Sequence, residues 1–281
     1  MKIYHTTQGL RKKLDQLPAT SSIGFVPTMG ALHQGHVSLV KTALKENSQV
    51  VVSIFVNPTQ FDNATDLQKY PRTIEEDASL LEKTSSHIIV FAPTPAEIYG
   101  NNIVSKAYNF DGLENEMEGK HREGHFDGVG TVLNHLFRIV TPAKAYFGEK
   151  DFQQLQIVRS LVKIEKLPVQ IVGCPILREK SGLAMSSRNA RLTNVQRREA
   201  AFIFKTLTTI KENFNHKSIP ALTRMAEEAF RKNPHLRLEY FEIAHANTLK
   251  TAKRKQKNAP YRAFVAAFSG EVRLIDNMAL T

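Results

Sequence analysis

Four short stretches of the chain are apolar on both faces: Ile23–Val26, Val50–Val56, His87–Phe91 and Val169–Cys174. A fifth, Ala145–Phe147, is shorter still. Strands of this kind have no polar face to give to water, so helices must cover them on both sides. The segments between them supply such helices. Helices are expected from about His36 to Glu46, near Glu75–Lys83, from Gly124 to Val140 and from Asp151 to Lys166. An opening helix is expected with Thr6 or Thr7 as its cap and with Leu10 and Leu14 turned inward. Buried strands alternating with helices join as βαβ units and build a parallel sheet, which makes the fold α/β. The strand from Ile23 is expected to end at Pro27.

The pattern changes past Cys174. Residues 193–214 and 218–233 read as helices. Arg237–Ala244, Arg262–Phe268 and Glu271–Asn277 read as strands, with a tight turn at Ser269-Gly270. That succession suits a small α+β unit. The charge steps at the same place. Residues 1–176 hold 18 Lys+Arg and 18 Asp+Glu, whereas residues 177–281 hold 20 and 9 and so carry the whole net charge of +11. Two domains are therefore expected, 1–176 and 177–281, the second one basic and attractive to polyanions.

Several classes fall away. No apolar run approaches the ~20 residues of a membrane helix, and no signal peptide is visible, so a cytoplasmic protein with no membrane partner is expected. The single cysteine, Cys174, cannot form an internal disulfide or a cysteine-based zinc site. Lys253, Arg254, Lys255 and Lys257 form the densest basic cluster, but no aromatic residues interleave them for base stacking. A solvated loop, rather than a nucleic-acid site, is expected there.

Chemistry concentrates in two segments. Pro27 to His36 reads PTMGALHQGH, where the first of the five strands gives way to a helix. Ligands of open α/β sheets bind outside the carboxyl ends of the strands. Gly30 and Gly35 let the backbone approach a ligand closely, and the helix start offers N–H groups and a partial positive charge. His33 and His36, three apart, share a face of the first turn. The combination describes an anion site with two imidazole donors. A glycine turn with two surface histidines would account for the motif taken alone. The second segment, GLAMSSRN from Gly182 to Asn189, brings Ser186, Ser187 and Arg188 together. Hydroxyls beside a guanidinium fork suit phosphate oxygens. The pair of segments resembles the layout of nucleotidyl transferases and class I aminoacyl-tRNA synthetases.

With FVNPTQF (55–61), YPRT (70–73), GHFDGV (124–129) and FGEKDFQQL (147–155) added in the same order, the chain resembles the pantothenate synthetase family, the ATP-dependent ligases of pantoate and β-alanine. The resemblance implies a Rossmann-like N-terminal domain with an HxGH site, a smaller C-terminal lid and a homodimer. It implies that ATP turns pantoate into an acyl adenylate, releasing pyrophosphate, and that the β-alanine amine then displaces AMP. Met29, Gly30, Ala31, Leu32, Gln34 and Gly35 would shape the nucleotide site, with His33 and His36 on the phosphates. Gly148, Glu149, Lys150 and Asp151 would serve the nucleotide as well, with Lys150 as the point charge near the α-phosphate. Leu177 and Met185 would touch the nucleotide, and Ser186, Ser187 and Arg188 would clamp the pyrophosphate. Gln60 and Gln154 would be the amides that hold pantoate, Gln60 lying near β-alanine too, beside an apolar side formed by Pro27, Phe61 and Val132. Mg²⁺ would bridge the phosphates, with Glu76 as its linked acid. Ser181 stands where many members have Asp. The competing reading is a nucleotidyl transferase of the same superfamily, which gives no reason for GEKDFQQ or the two glutamines.

Overall fold

The computed structural model describes residues 2–61 and 64–281. The chain folds as two compact units. One holds the described chain up to Glu114 together with Glu118–Glu149 and Gln154–Pro175, and the other holds Asn115–Met117, Lys150–Gln153 and Ile176–Thr281.

The first unit is built on six parallel strands: β1 (Ile3–Tyr4), β2 (Ile23–Thr28), β3 (Gln49–Ile54), β4 (Ile88–Phe91), β5 (Lys144–Gly148) and β6 (Gln170–Cys174). Their order across the sheet is β1-β4-β3-β2-β5-β6. The helices of seven residues or more in the chain are α1 (Thr7–Leu14), α2 (Gln34–Glu46), α3 (Ile74–Thr84), α4 (His125–Val140), α5 (Phe152–Ile164), α6 (Asn194–Ala200), α7 (Phe202–Asn213) and α8 (Ile219–Arg231). Phe25, Val26, Val50, Val51, Val52, Val90, Phe91, Ala145 and Tyr146 are fully buried, as strands covered on both faces require. The α/β expectation is met.

Two strand details differ from the sequence reading. β1 was not expected: it is two residues long, too short to show a period, and exists through Ile3↔Val90 and Tyr4↔Phe91. β2 runs through Pro27 to Thr28 instead of stopping there. Proline is tolerated because β5 pairs with β2 only at Gly24 and Phe25, so one edge of β2 is already clear of a partner strand at Pro27.

The second unit has an antiparallel sheet, β7 (Arg237–His245), β8 (Tyr261–Ser269) and β9 (Val272–Ala279), with β8 central. Ile203, Leu207 and Ile210 of α7 and Leu222, Ala226 and Phe230 of α8 share one core with Ile243, Val265 and Leu274 of the sheet. The single helix expected over 193–214 is two, divided at Ala201. Thr193 starts α6 with a capping box that pairs it to Gln196.

Candidate functional site

From β2 the chain adds β3 and β4 on one side of the sheet, and β5 and β6 on the other. The order therefore reverses between β2 and β5, and the crevice outside their carboxyl ends is where an open α/β sheet binds ligands. β2 ends at Thr28 and leads into Met29–His36; β5 ends at Gly148 and leads into Glu149–Asp151. Topology alone thus puts Gly148, Glu149 and the PTMGALHQGH turn at one end of two neighbouring strands.

The turn is held partly by side chains from outside its own sequence. Gly30 has φ +82, a conformation that favours glycine, and Ala31 follows at φ 50. A Cβ on Gly30 would meet Asp77 Oδ2 at 3.0 Å and Ile54 at 3.1 Å. Asp77, buried on the first turn of α3, accepts from the N–H of Ala31 at 2.9 Å and of Leu32 at 2.7 Å. Burial raises its carboxyl above the ordinary range, and the two backbone donors work against that rise. Thr28 Oγ1 accepts from Gly30 N–H at 3.2 Å and donates to the Ser53 carbonyl at 2.7 Å. Asp77→Asn turns an N–H₂ group toward one of two backbone donors. The variant is expected to unfold ~1–3 kcal/mol earlier in a denaturant titration, the cost of a buried donor left unpaired.

The helix after the turn starts at Gln34, not at His36, because His33 is its cap. Nδ1 of His33 accepts from Gly35 N–H at 3.1 Å, and Nδ1 of His36 accepts from His33 N–H at 3.2 Å. The two rings lie 4.1 Å apart between centroids. Each Nδ1 is committed as an acceptor, so each neutral imidazole carries its proton on Nε2, the nitrogen remote from the cap. The histidines are half-buried and Gln34 is exposed.

Gln60 closes the turn Pro58–Gln60 and is buried. Its Nε2 contacts Met29 Sδ at 2.7 Å, which ties it to the histidine turn. Gln154 is half-buried on α5, Val132 is buried on α4, and Pro27 and Phe61 are half-buried. Glu76 is exposed on the first turn of α3. Among the described residues, no group of three His, Cys, Asp or Glu side chains converges as a metal site.

In the second unit, Leu177 and Met185 face each other across a short hairpin: Met185 N–H donates to the Leu177 carbonyl at 3.0 Å, and Arg178 bridges to Ala184. Gly182, at φ +92, forms the tip, where a Cβ would stand 2.2 Å from the Phe204 ring. Arg178 anchors the hairpin to β9 by donating twice to Asp276, at 2.6 and 3.0 Å, and once to the Gly182 carbonyl. Ser186 Oγ accepts from Arg188 N–H at 3.3 Å and so caps the turn Ser187–Arg191. Ser181 is exposed, and its hydroxyl accepts from Leu183 N–H at 3.4 Å. Lys150 belongs to this unit too. Its carbonyl accepts from Asn277 Nδ2 at 2.7 Å, and its Nζ lies 3.4 Å from Asp151. The next residue but one, Phe152, lies under the Arg262 guanidinium at 4.0 Å.

Asp77, Arg178 and Asp276 were not singled out from sequence. The acid of TIEED reads as compensation for a helix dipole, and nothing local marks it as the holder of a turn 46 positions earlier.

The model of the pantoate–beta-alanine ligase family matches residues 2–279. A pantothenate synthetase from Christiangramia forsetii is 56% identical over 281 residues, covering 100% of this chain and 99% of the relative. The crystal structure of pantothenate synthetase from Thermus thermophilus superposes with a TM-score of 0.90 at 40% identity, covering 100% of this chain and 99% of that one. The Francisella tularensis pantoate–beta-alanine ligase, solved with beta-gamma ATP and beta-alanine, gives a TM-score of 0.82 at 36% identity over 100% and 98% of the two chains. With a family model spanning almost every residue and relatives alike from end to end, the chain belongs to the pantoate–beta-alanine ligase family.

Proposed function

We propose that the protein condenses pantoate with β-alanine at the expense of ATP, through a pantoyl adenylate, giving pantothenate, AMP and pyrophosphate. The observation that carries this reading is the histidine turn at the strand-order reversal, in a chain whose Francisella relative was solved with beta-gamma ATP and beta-alanine. A carboxylate resists amine attack because its oxygens leave poorly, and adenylation supplies the leaving group. Charge then develops on phosphoryl oxygens, where fixed donors do most of the work.

His33 and His36 spend Nδ1 on the helix cap, so Nε2–H is the donor each presents to phosphate. His36 is the proton donor of the pair. Met29–Gly35, Gly148, Glu149, Asp151, Leu177 and Met185 line the nucleotide. Lys150 places a point charge by the α-phosphate. Ser186, Ser187 and Arg188 hold the pyrophosphate; the Ser186 hydroxyl, while accepting from Arg188 N–H, keeps its own proton to donate. Gln60 and Gln154 orient pantoate, and Pro27, Phe61 and Val132 meet its gem-dimethyl group. Mg²⁺ arrives as part of the MgATP substrate, held by the phosphates. The working form is a cytoplasmic homodimer.

Labelled pyrophosphate tests the order of events. Exchange of label into ATP is expected with pantoate alone and without β-alanine. Exchange that needs β-alanine excludes the free adenylate, and no exchange under any condition removes the ligase reading.

A further inference from the structure

Asn57 is almost fully buried beside the Pro58–Gln60 turn. Its amide is clamped by backbone groups of one polarity each. Thr59 N–H, which only donates, points at Oδ1 from 3.4 Å; the Gly128 carbonyl, which only accepts, receives Nδ2 at 3.2 Å. The amide therefore has one orientation. Two hydroxyls reinforce it: Tyr99 donates to Oδ1 at 2.6 Å and Thr59 Oγ1 at 3.1 Å. Burial pushes the Tyr99 phenol up, which keeps its proton available to donate. The second N–H of Asn57 then reaches Gln60 Oε1 at 3.1 Å. The main chain of Gln60 is fixed as well, since its carbonyl accepts from His125 Nδ1 at 2.8 Å.

This holds the Oε1 end of the Gln60 amide toward Asn57, with one of its two lone pairs engaged. Its remaining polar group is the N–H₂, whose partner among the described residues is the weak acceptor Met29 Sδ. A glutamine whose amide could in isolation face either way is here held with its N–H₂ end on the Met29 side.

We propose that Tyr99 is a positioning residue that acts through Asn57 to hold Gln60 as an N–H donor, so that the acid substrate is selected at this point by an oxygen acceptor. The inference rests on the ligase reading above and assigns the polarity of one of its contacts. Tyr99 sits outside the turn, with its ring edge-on to His135 at 5.5 Å, and reaches Gln60 through Asn57, its hydroxyl lying 3.1 Å from Thr59 Oγ1 as well.

Tyr99→Phe keeps the ring and removes the hydroxyl. It is expected to raise KM for pantoate about tenfold, the scale of one buried hydrogen bond, with KM for ATP within about twofold of the parent and the unfolding midpoint unmoved. In a Gln60→Ala background the same substitution is expected to add nothing to KM for pantoate, because its route is gone. In ¹⁵N spectra of the full chain, pantoate is expected to shift the Gln60 side-chain N–H₂ pair, assigned by its loss in Gln60→Ala, and Tyr99→Phe is expected to collapse that pair's dispersion. An unchanged KM for pantoate, additive effects in the double variant, or an unperturbed N–H₂ signal in Tyr99→Phe each overturn the positioning role. A wild-type chain that neither consumes pantoate nor shifts with it fails earlier, at the ligase reading itself.

Discussion

Replacing Lys150 with alanine is expected to slow pantoate-dependent pyrophosphate exchange by a factor of about 10²–10³ and to leave the melting curve in place. The two halves of this expectation have separate grounds. Lys150 follows β5 at the strand-order reversal, and in the proposed reaction an ammonium there would meet the charge that builds on the α-phosphate. Its bond to Asn277 runs through the backbone carbonyl and survives truncation of the side chain. The side chain is 17% exposed, so alanine does uncover some packed methylene, yet its charge partner, Asp151, is 49% exposed. Pairs of that kind contribute ~0–1 kcal/mol. Normal exchange with normal melting removes Lys150 from the chemistry; loss of both means that the residue supports the fold.

Gly128→Ala is expected to damage both stability and activity through a single methyl group. A Cβ there would stand 2.2 Å from the Thr59 carbonyl oxygen, 2.5 Å from its carbon and 2.7 Å from Gln60 N. All three are backbone atoms, so no side chain can swing aside. Either α4 or the Pro58–Gln60 turn has to move, and the Asn57–Gly128 and His125–Gln60 hydrogen bonds go with it. Overpacking of this kind costs ~1–3 kcal/mol, read as a lower denaturation midpoint. A displacement of about 1 Å at Gln60 is expected to lower kcat/KM for pantoate by ~10²-fold, more than the stability loss accounts for. A variant with parental stability and activity would show that the turn yields cheaply.

What could be read without coordinates was periodic or local. The apolar strands and the helices between them sufficed for a parallel sheet, and the helix-then-strand succession after Cys174 for a small α+β unit, whose sheet is antiparallel. Signals without a period were missed. β1 has two residues, and the break at Ala201 interrupts a run of good helix formers with no glycine or proline to announce it. At the site, PTMGALHQGH announced a glycine turn, but histidine is not among the usual capping residues, so a cap made of two imidazoles left no trace. The partners that hold the site were beyond any local reading. Asp77 bonds residues 45 and 46 positions away, Asn57 reaches Gly128 across 71, and Arg178 meets Asp276 across 98. Those separations close only once the strands have chosen their neighbours.

The assignment of Lys150–Gln153 to the C-terminal unit bears on how such a protein can be taken apart. A cut after residue 176 looks natural on the linear map, at the charge step. It would nevertheless strand four residues whose ties run the other way: the Lys150 carbonyl to Asn277, the Phe152 ring to Arg262, and Gln153 to the Glu116 carbonyl. Fragment expression, split reporters and exchange of C-terminal halves between relatives all assume that one peptide bond separates the parts. In this chain the division is crossed several times, and a chimera keeps residues 150–153 with their partners only when residues 115–117 and 150–153 travel with the C-terminal strands.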